Sequence, residues 1–257
     1  MILGSSSGFG GAVAARLARE GMNVFGVHLD RKATIPNAER VQEEIKRAGA
    51  QAVFFNTNAA GHGERAEVLA QMKAHLGAGA QGAVRVLLHS LAFGTLKPYI
   101  SDDPAGALTP KQLEMTLDVM ANSLVYWTQD LVREGLMGEG GRIFAMTSSG
   151  GHRVWPTYGA VSAAKAALES HIRQLAFELA SKGISANSVQ AGVTDTPALR
   201  KIPGNEEMLE LAQRMNPHKR LTTPGVVADA IACFSRPGTR WMTGNVIRVD
   251  GGEDIAG

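Results

Sequence analysis

Six short apolar runs bounded by turn residues alternate with longer helical patterns along this chain of 257 residues, and no other feature narrows its possible folds as much. The runs are NVFGVHL, QAVFFN, AVRVLLHS, GRIFAMTS, GISANSVQAG and NVIRVDGG. Near-continuous apolar strands are buried on both faces, and a helix between successive strands supplies the crossover that parallel pairing requires. GGAVAARLAREG reads as a helix closed by Gly21, and AERVQEEIKRAG repeats that design up to Gly49. Only Met1, Ile2 and Leu3 precede Gly4, so either the first strand is short or the sequence begins inside it. No repeat, low-complexity tract or Pro/Gly/Ser linker divides the chain. The expectation is a single α/β domain over residues 1–257, doubly wound, with a parallel sheet of seven strands.

Hydrophobic residues make up 44% of the chain, enough to cover such a sheet on both faces. A formal charge of +2 and the lack of any long Lys/Arg run argue against a dedicated nucleic-acid binder, while leaving small anionic ligands compatible. Cys233 is the only cysteine, which excludes an internal disulfide and points to a reducing compartment. No His/Cys/carboxylate cluster has metal-ligand spacing. Neither a membrane span of roughly 20 apolar residues nor a signal peptide is visible, so the expected location is the cytoplasm.

The segment GSSSGFGGA places Gly4, Gly8 and Gly10 between a strand end and a helix. Glycines there allow a tight turn and close approach to a phosphate, and the free amides and dipole of the helix N-terminus favour negative charge. Gly4, Ser6, Gly8, Phe9 and Gly10 are therefore candidate dinucleotide contacts. The end of the next strand, VHLDRK, faces the adenosine ribose in such a fold. A carboxylate at that point selects NAD, whereas a cation accepts the 2′-phosphate of NADP. His28 occupies the position where the acid commonly falls, Asp30 comes two residues later, and Arg31 and Lys32 follow. Arg31 tips this reading toward NADP(H) over NAD(H).

YGAVSAAK sets Tyr158 and Lys165 seven positions apart in a helix-friendly run. At about 100° per residue, seven steps bring a side chain back to within about 20° of its starting face. The same offset separates the two by about 10 Å along a helix axis, a gap that also fits Tyr158 lying in the turn before the helix. With the glycine turn, QAGVTDTP and TGNVIRVDGG, this pair makes the whole chain resemble the short-chain dehydrogenase/reductase superfamily. In that family the Tyr hydroxyl contacts the reacting oxygen, and the Lys binds the nicotinamide ribose and lowers the phenol's pKa. Most members carry three residues between the two; here there are six, which is similar to the divergent branch of enoyl-acyl-carrier-protein reductases. HSLAFG, from His89 to Gly94, resembles the same branch.

The resemblance implies nicotinamide-dependent reduction of the C2–C3 double bond of enoyl thioesters, in fatty acid biosynthesis. The alternative is a ketone reductase or alcohol dehydrogenase acting on 3-oxoacyl, steroid or other bulky carbonyl substrates. Ordinary members place a catalytic Ser thirteen residues before the Tyr, which is Ala145 here, and an Asn in the preceding long helix, where Met120 stands with Asn122 two residues on. Reducing a ketone leaves an alkoxide that must gain a proton at once, whereas adding hydride to an enoyl β-carbon leaves an enolate that chiefly needs hydrogen-bond stabilisation. The enoyl branch often has a second Tyr ten residues before the first; Ser148 holds that position and offers a smaller hydroxyl.

By the same resemblance Ser90, Leu91 and Ala92 line the cofactor cleft, Asn56 stands at an adenine-contacting position, and Gly192, Thr194 and Thr196 meet the nicotinamide and pyrophosphate. Trp155 and Pro156 either shape an acyl pocket or pack in the core. His89 and His152 read as packed or hydrogen-bonded strand-end histidines rather than general acids. The stretch 196–220 resembles a mobile substrate-binding loop, with EEMLELAQRM as a short helix. Its Arg200, Lys201, Arg214, Lys219 and Arg220 either meet an acidic acyl carrier protein or form a solvated face. A homotetramer built partly on the Tyr/Lys helix and its predecessor is the assembly implied.

Overall fold

In the computed structural model, which describes residues 1–256, the strands are β1 (Ile2–Leu3), β2 (Val24–His28), β3 (Ala52–Asn56), β4 (Val86–His89), β5 (Arg142–Ser148), β6 (Ser185–Ala191) and β7 (Val246–Val249). They form one seven-stranded sheet in the order β3-β2-β1-β4-β5-β6-β7, with every pairing parallel. All six apolar runs of the sequence are strands, and β1 is the short one, two residues long.

Along each strand alternate residues serve opposite cores. Leu3, Val27, Leu87, Ile143 and Ala145 join one apolar cluster with α3 (His62–Leu76), α5 (Ser123–Arg133) and α6 (Gly159–Glu178). Ile2, Leu88, Phe144, Met146 and Val189 join another with α1 (Gly8–Arg19), α2 (Ile35–Arg47) and α8 (Pro224–Phe234). Burial on both faces is why these strands lack the alternation of a half-exposed sheet. A shorter helix, α4 (Pro110–Leu117), runs into α5 through a π-turn at Asp118–Asn122. The order in which successive strands are laid down reverses between β1 and β4, and the loops leaving their C-terminal ends define the crevice where open α/β sheets bind ligands.

Candidate active site

The glycine turn sits at that crevice. Gly4 and Gly8 hold positive φ of 87° and 55°, conformations that side chains other than glycine's avoid. A Cβ on Gly4 would collide with the Ser90 carbonyl, and one on Gly10 with the Gly4 carbonyl. No side chain caps the N-terminus of α1, so its amides remain available to an anion. A Cβ on Gly8 would lie 3.7 Å from the Thr196 methyl, which brings the loop after β6 against the turn. These residues fit a dinucleotide: the cradle is lined by backbone, and Ser90, leading into Leu91 and Ala92, closes its side. Phe9 turns its ring toward the second core, leaving its backbone at the cradle.

At the end of β2 the buried His28 leans on Phe54 and pairs through Nδ1 with the Asp30 carboxylate at 2.8 Å. Burial pushes the Asp30 carboxyl up, but the hydroxyls of Thr34 and Ser6 and the His28 imidazole outweigh it and hold the pKa below its usual value. Asn56 clamps the same residue, accepting from the Asp30 amide at 2.9 Å and donating to its carbonyl at 3.0 Å. Its side-chain amide is thus engaged by backbone. Arg31 is exposed. The group beside Ser6 of the glycine turn is therefore a carboxylate two residues beyond the position where the sequence reading sought one, not the Arg31 guanidinium.

The hydride-transfer candidates lie across the crevice at the end of β5. Tyr158 is the residue before α6, with φ −90° and ψ 0°, so it occupies the turn rather than the helix proper. The shared-face argument for Tyr158 and Lys165 accordingly does not describe this geometry. Val161, at the offset from Lys165 where ordinary members keep their Tyr, is buried in the core. Burial pushes the phenol pKa up, offset in part by the Ser148 hydroxyl, so Tyr158 is a neutral donor at physiological pH. Ser148 faces the phenol without completing a directed hydrogen bond, and its Oγ is buried with no partner. A Cβ on Gly150 would lie 2.6 Å from Cε1 of the Tyr158 ring, so the turn passes directly over the phenol. Thirteen residues before Tyr158, Ala145 is fully buried within β5; the hydroxyl that reaches the phenol is Ser148.

Lys165, 7% exposed, donates from Nζ to the Met146 carbonyl at 2.7 Å. Burial lowers its pKa to about 8, partly countered by the charge of Glu169 one turn on. Glu169 in turn accepts from the Thr147 hydroxyl at 2.6 Å.

His89 is fully buried and its Nε2 meets the Ser123 hydroxyl at 2.8 Å, while burial and the nearby Lys165 charge drive its pKa down to about 3. The ring is thus a packed, hydrogen-bonded histidine at the end of β4. Met120 is buried in the π-turn, and Asn122 accepts through Oδ1 from His171 Nε2 at 3.1 Å. Gly192 is crowded by Thr222 and Glu253, and the Thr194 hydroxyl donates back to the Gly192 carbonyl at 2.9 Å. In the 196–220 stretch a helix, α7 (Asn205–Met215), forms as expected. Trp155 Nε1 donates to the Pro203 carbonyl at 3.2 Å and its ring abuts Gly204, tying the turn before Tyr158 to this stretch. Arg200 forks onto Asp195 at 2.7 and 2.9 Å, and Lys219 donates to the Arg214 carbonyl, so both cations already have partners within the chain.

Some features of the site carry no local sequence signal. The Tyr99 ring, from the loop after β4, lies over Gly159 beside the candidate Tyr. With Phe93, Ile100 and Val154 it leaves apolar surface exposed at this end of the sheet. Thr157 holds a φ of 63°, unusual for a β-branched residue, immediately before Tyr158. A threonine in this conformation gives no hint of it in the sequence.

A family model described as enoyl-(acyl carrier protein) reductase matches residues 4–253. The chain belongs to the short-chain dehydrogenase/reductase superfamily, in its enoyl-acyl-carrier-protein reductase branch. It is 31% identical to a 1-cyclohexenylcarbonyl-CoA reductase of Streptomyces collinus, over 99% of this chain and 86% of that one. It is 32% identical to an enoyl-acyl-carrier-protein reductase (NADH) of Nostoc, over 68% of this chain and 67% of that one. Among solved structures, a promiscuous reductase catalysing keto-reduction at C1 in lugdunomycin biosynthesis superposes with a TM-score of 0.83 at 30% identity, over 99% and 96% of the two chains.

These relatives correct the cofactor expectation. The enoyl-acyl-carrier-protein reductases similar to this chain are NADH enzymes by name, which overturns the preference for NADP(H). The physical reason lies at the end of β2, where the partly buried Asp30 carboxylate beside Ser6 would repel a 2′-phosphate. The chain is an oxidoreductase of this superfamily, and no helix among the described residues is long and apolar enough to cross a membrane.

Proposed function

We propose that this protein reduces the C2–C3 double bond of an α,β-unsaturated acyl thioester with NADH, as an enoyl-acyl-carrier-protein reductase does in cytoplasmic fatty acid biosynthesis. The observation that carries the reading is the placement of Tyr158 in the turn before α6, seven residues ahead of Lys165, with the buried Val161 at the ordinary Tyr position. Bound at the glycine cradle, the cofactor would supply the hydride. Gly4, Ser6, Gly8, Gly10 and Thr196 would hold its pyrophosphate, Asp30 its adenosine ribose and Lys165 its nicotinamide ribose. Tyr158, a neutral donor, would stabilise negative charge as it develops on the thioester oxygen. The exposed Phe93, Tyr99, Ile100 and Val154 supply an apolar surface for the acyl group, and the segment 196–220 would cover it within one catalytic domain. The relatives named for carrier-protein and coenzyme A thioesters share this chemistry at the acyl end.

Ketone reduction is the second reading, supported by the Ser148 hydroxyl opposite the phenol, a pair able to serve an alkoxide as well as an enolate. The deciding assay offers crotonyl and acetoacetyl thioesters with NADH and with NADPH and follows the absorbance of the reduced nicotinamide. Oxidation of NADH with crotonyl thioester is the expected result. Turnover of the ketone alone would overturn the enoyl reading, and a requirement for NADPH would overturn the role given to Asp30.

A homotetramer is part of the same proposal. Phe177 on α6 and Trp241 are 81% and 94% exposed, and the edge strand β7 leaves Val246 open, apolar surface of the kind that subunit contacts cover. Light scattering is expected to give four times the chain mass, and a monomer at micromolar concentration would rule this assembly out.

A further inference from the structure

Just beyond β7, the turn at Glu253–Ile255 holds two adjacent carboxylates that serve two different loops of the site. Asp254 has a side chain only 4% exposed, yet it gathers four side-chain donors. His152 Nε2 lies 3.1 Å from both of its oxygens, and Arg153 Nε lies 2.9 Å from Oδ1. Gln190 Nε2 on β6 and Arg248 Nε on β7 reach Oδ2 at 3.0 and 3.1 Å. Arg153 also donates to the Asp254 carbonyl.

His152 and Arg153 belong to the turn that separates Ser148 from Tyr158, and their amides both donate to the Ser149 carbonyl, at 3.0 and 2.8 Å. The path from Asp254 to the candidate hydroxyls is therefore short and made of directed bonds. Glu253, 7% exposed, points the other way and accepts the Val193 amide at 3.0 and 3.2 Å, in the loop that carries Gly192, Thr194 and Thr196. A third carboxylate, Asp250, fixes the turn itself by accepting from the Gly252 and Asp254 amides at 2.9 and 3.1 Å.

We infer that this turn is a two-armed brace, in which Asp254 positions the 149–158 segment that presents Ser148 and Tyr158, and Glu253 positions the cofactor loop at Val193. Both are positioning residues. The inference rests on the proposed reading for what the two loops do, while the brace itself is a property of this chain's own contacts. A group held within a fraction of an ångström is what reaction geometry demands, and a misplacement of about 1 Å can cost about a hundredfold in rate. The Asp254 arm joins Gln190 on β6 and Arg248 on β7 to the 149–158 segment, and the Glu253 arm joins the turn after β7 to Val193.

The test separates the arms. In Asp254→Asn, amide hydrogen exchange without cofactor is expected to rise in 149–158 alone, and kcat to fall about tenfold or more with NADH affinity unchanged. In Glu253→Ala, exchange is expected to rise around 192–196, with NADH binding, read by its fluorescence, weakened about tenfold. Should Asp254→Asn fail to fold, Arg153→Met removes one loop-side donor at a half-exposed position and is expected to act in the same direction with smaller amplitude. Exchange rising throughout the chain, or kcat and NADH affinity falling together in both variants, would reduce the turn to a general stabiliser and overturn the inference. So would unchanged exchange in 149–158. If the wild-type protein reduces neither thioester, the functional reading fails, and the exchange and NADH-binding measurements still decide the brace.

Discussion

Replacing Tyr158 with Phe is expected to lower kcat by about 10²–10³-fold, the usual effect of removing one donor from a developing oxyanion. NADH affinity is expected to stay unchanged, because the deleted hydroxyl faces Ser148 and, in the proposed role, would meet the substrate oxygen rather than the cofactor. The aromatic ring remains and still fills the space beneath the Gly150 turn, so the fold has no reason to change. This matters for interpretation, since a loss of activity with native melting behaviour isolates the hydroxyl. Fluorescence titration with NADH and steady-state kinetics with crotonyl thioester make the comparison, and a Phe variant with near-normal turnover would remove Tyr158 from the reaction. Ser148→Ala should cost less, because that hydroxyl only offsets part of the burial effect on the phenol.

Lys165 is expected to produce two opposite pH dependences. Its ammonium is buried, and that burial lowers its pKa from 10.5 to about 8. In the proposed role only the protonated form donates to the nicotinamide ribose and offers positive charge to the site. The free-enzyme parameter kcat/KM for NADH is thus expected to fall tenfold per pH unit above about 8. Stability runs the other way. Because the folded pKa lies below the unfolded one, the native state releases this proton first, and the unfolded state binds more protons between about pH 8 and 10.5. The group therefore costs stability at neutral pH, and that cost, about 3 kcal/mol, is relieved as pH rises through the window. Urea denaturation of the wild type and of Lys165→Met at pH 7 and pH 10 reads the difference. Wild type is expected to gain on the variant at the higher pH, and a pH-independent difference would show that Lys165 is not held charged in a dry site.

The frame that supports both experiments was legible in the sequence because it depends on period and composition. Each apolar run became a strand, and the glycine spacing after β1 became a turn with positive φ at Gly4 and Gly8, which no other residue type tolerates as cheaply. Counting along the chain did less well where partners come from different elements. Near the phenol the count of ten residues back from Tyr158 named Ser148, whose hydroxyl faces that ring, while thirteen back falls on Ala145 inside the core. At the ribose end the count fixed on His28 and Arg31. The side chain beside Ser6 is that of Asp30, clamped by Asn56 from the neighbouring strand.

By itself, then, the sequence determined the layered sheet, the glycine turn and the residue types available for the proposed chemistry, since each follows from local pattern and steric permission. Tertiary structure alone decided how those residues meet. Tyr158 stands in a turn and not on the face of a helix, Lys165 is pinned to Met146 and Asp254 braces a loop about a hundred residues earlier. Such contacts are set by which loops converge at the ends of parallel strands, and directed bonds across that distance leave no periodic trace in the chain.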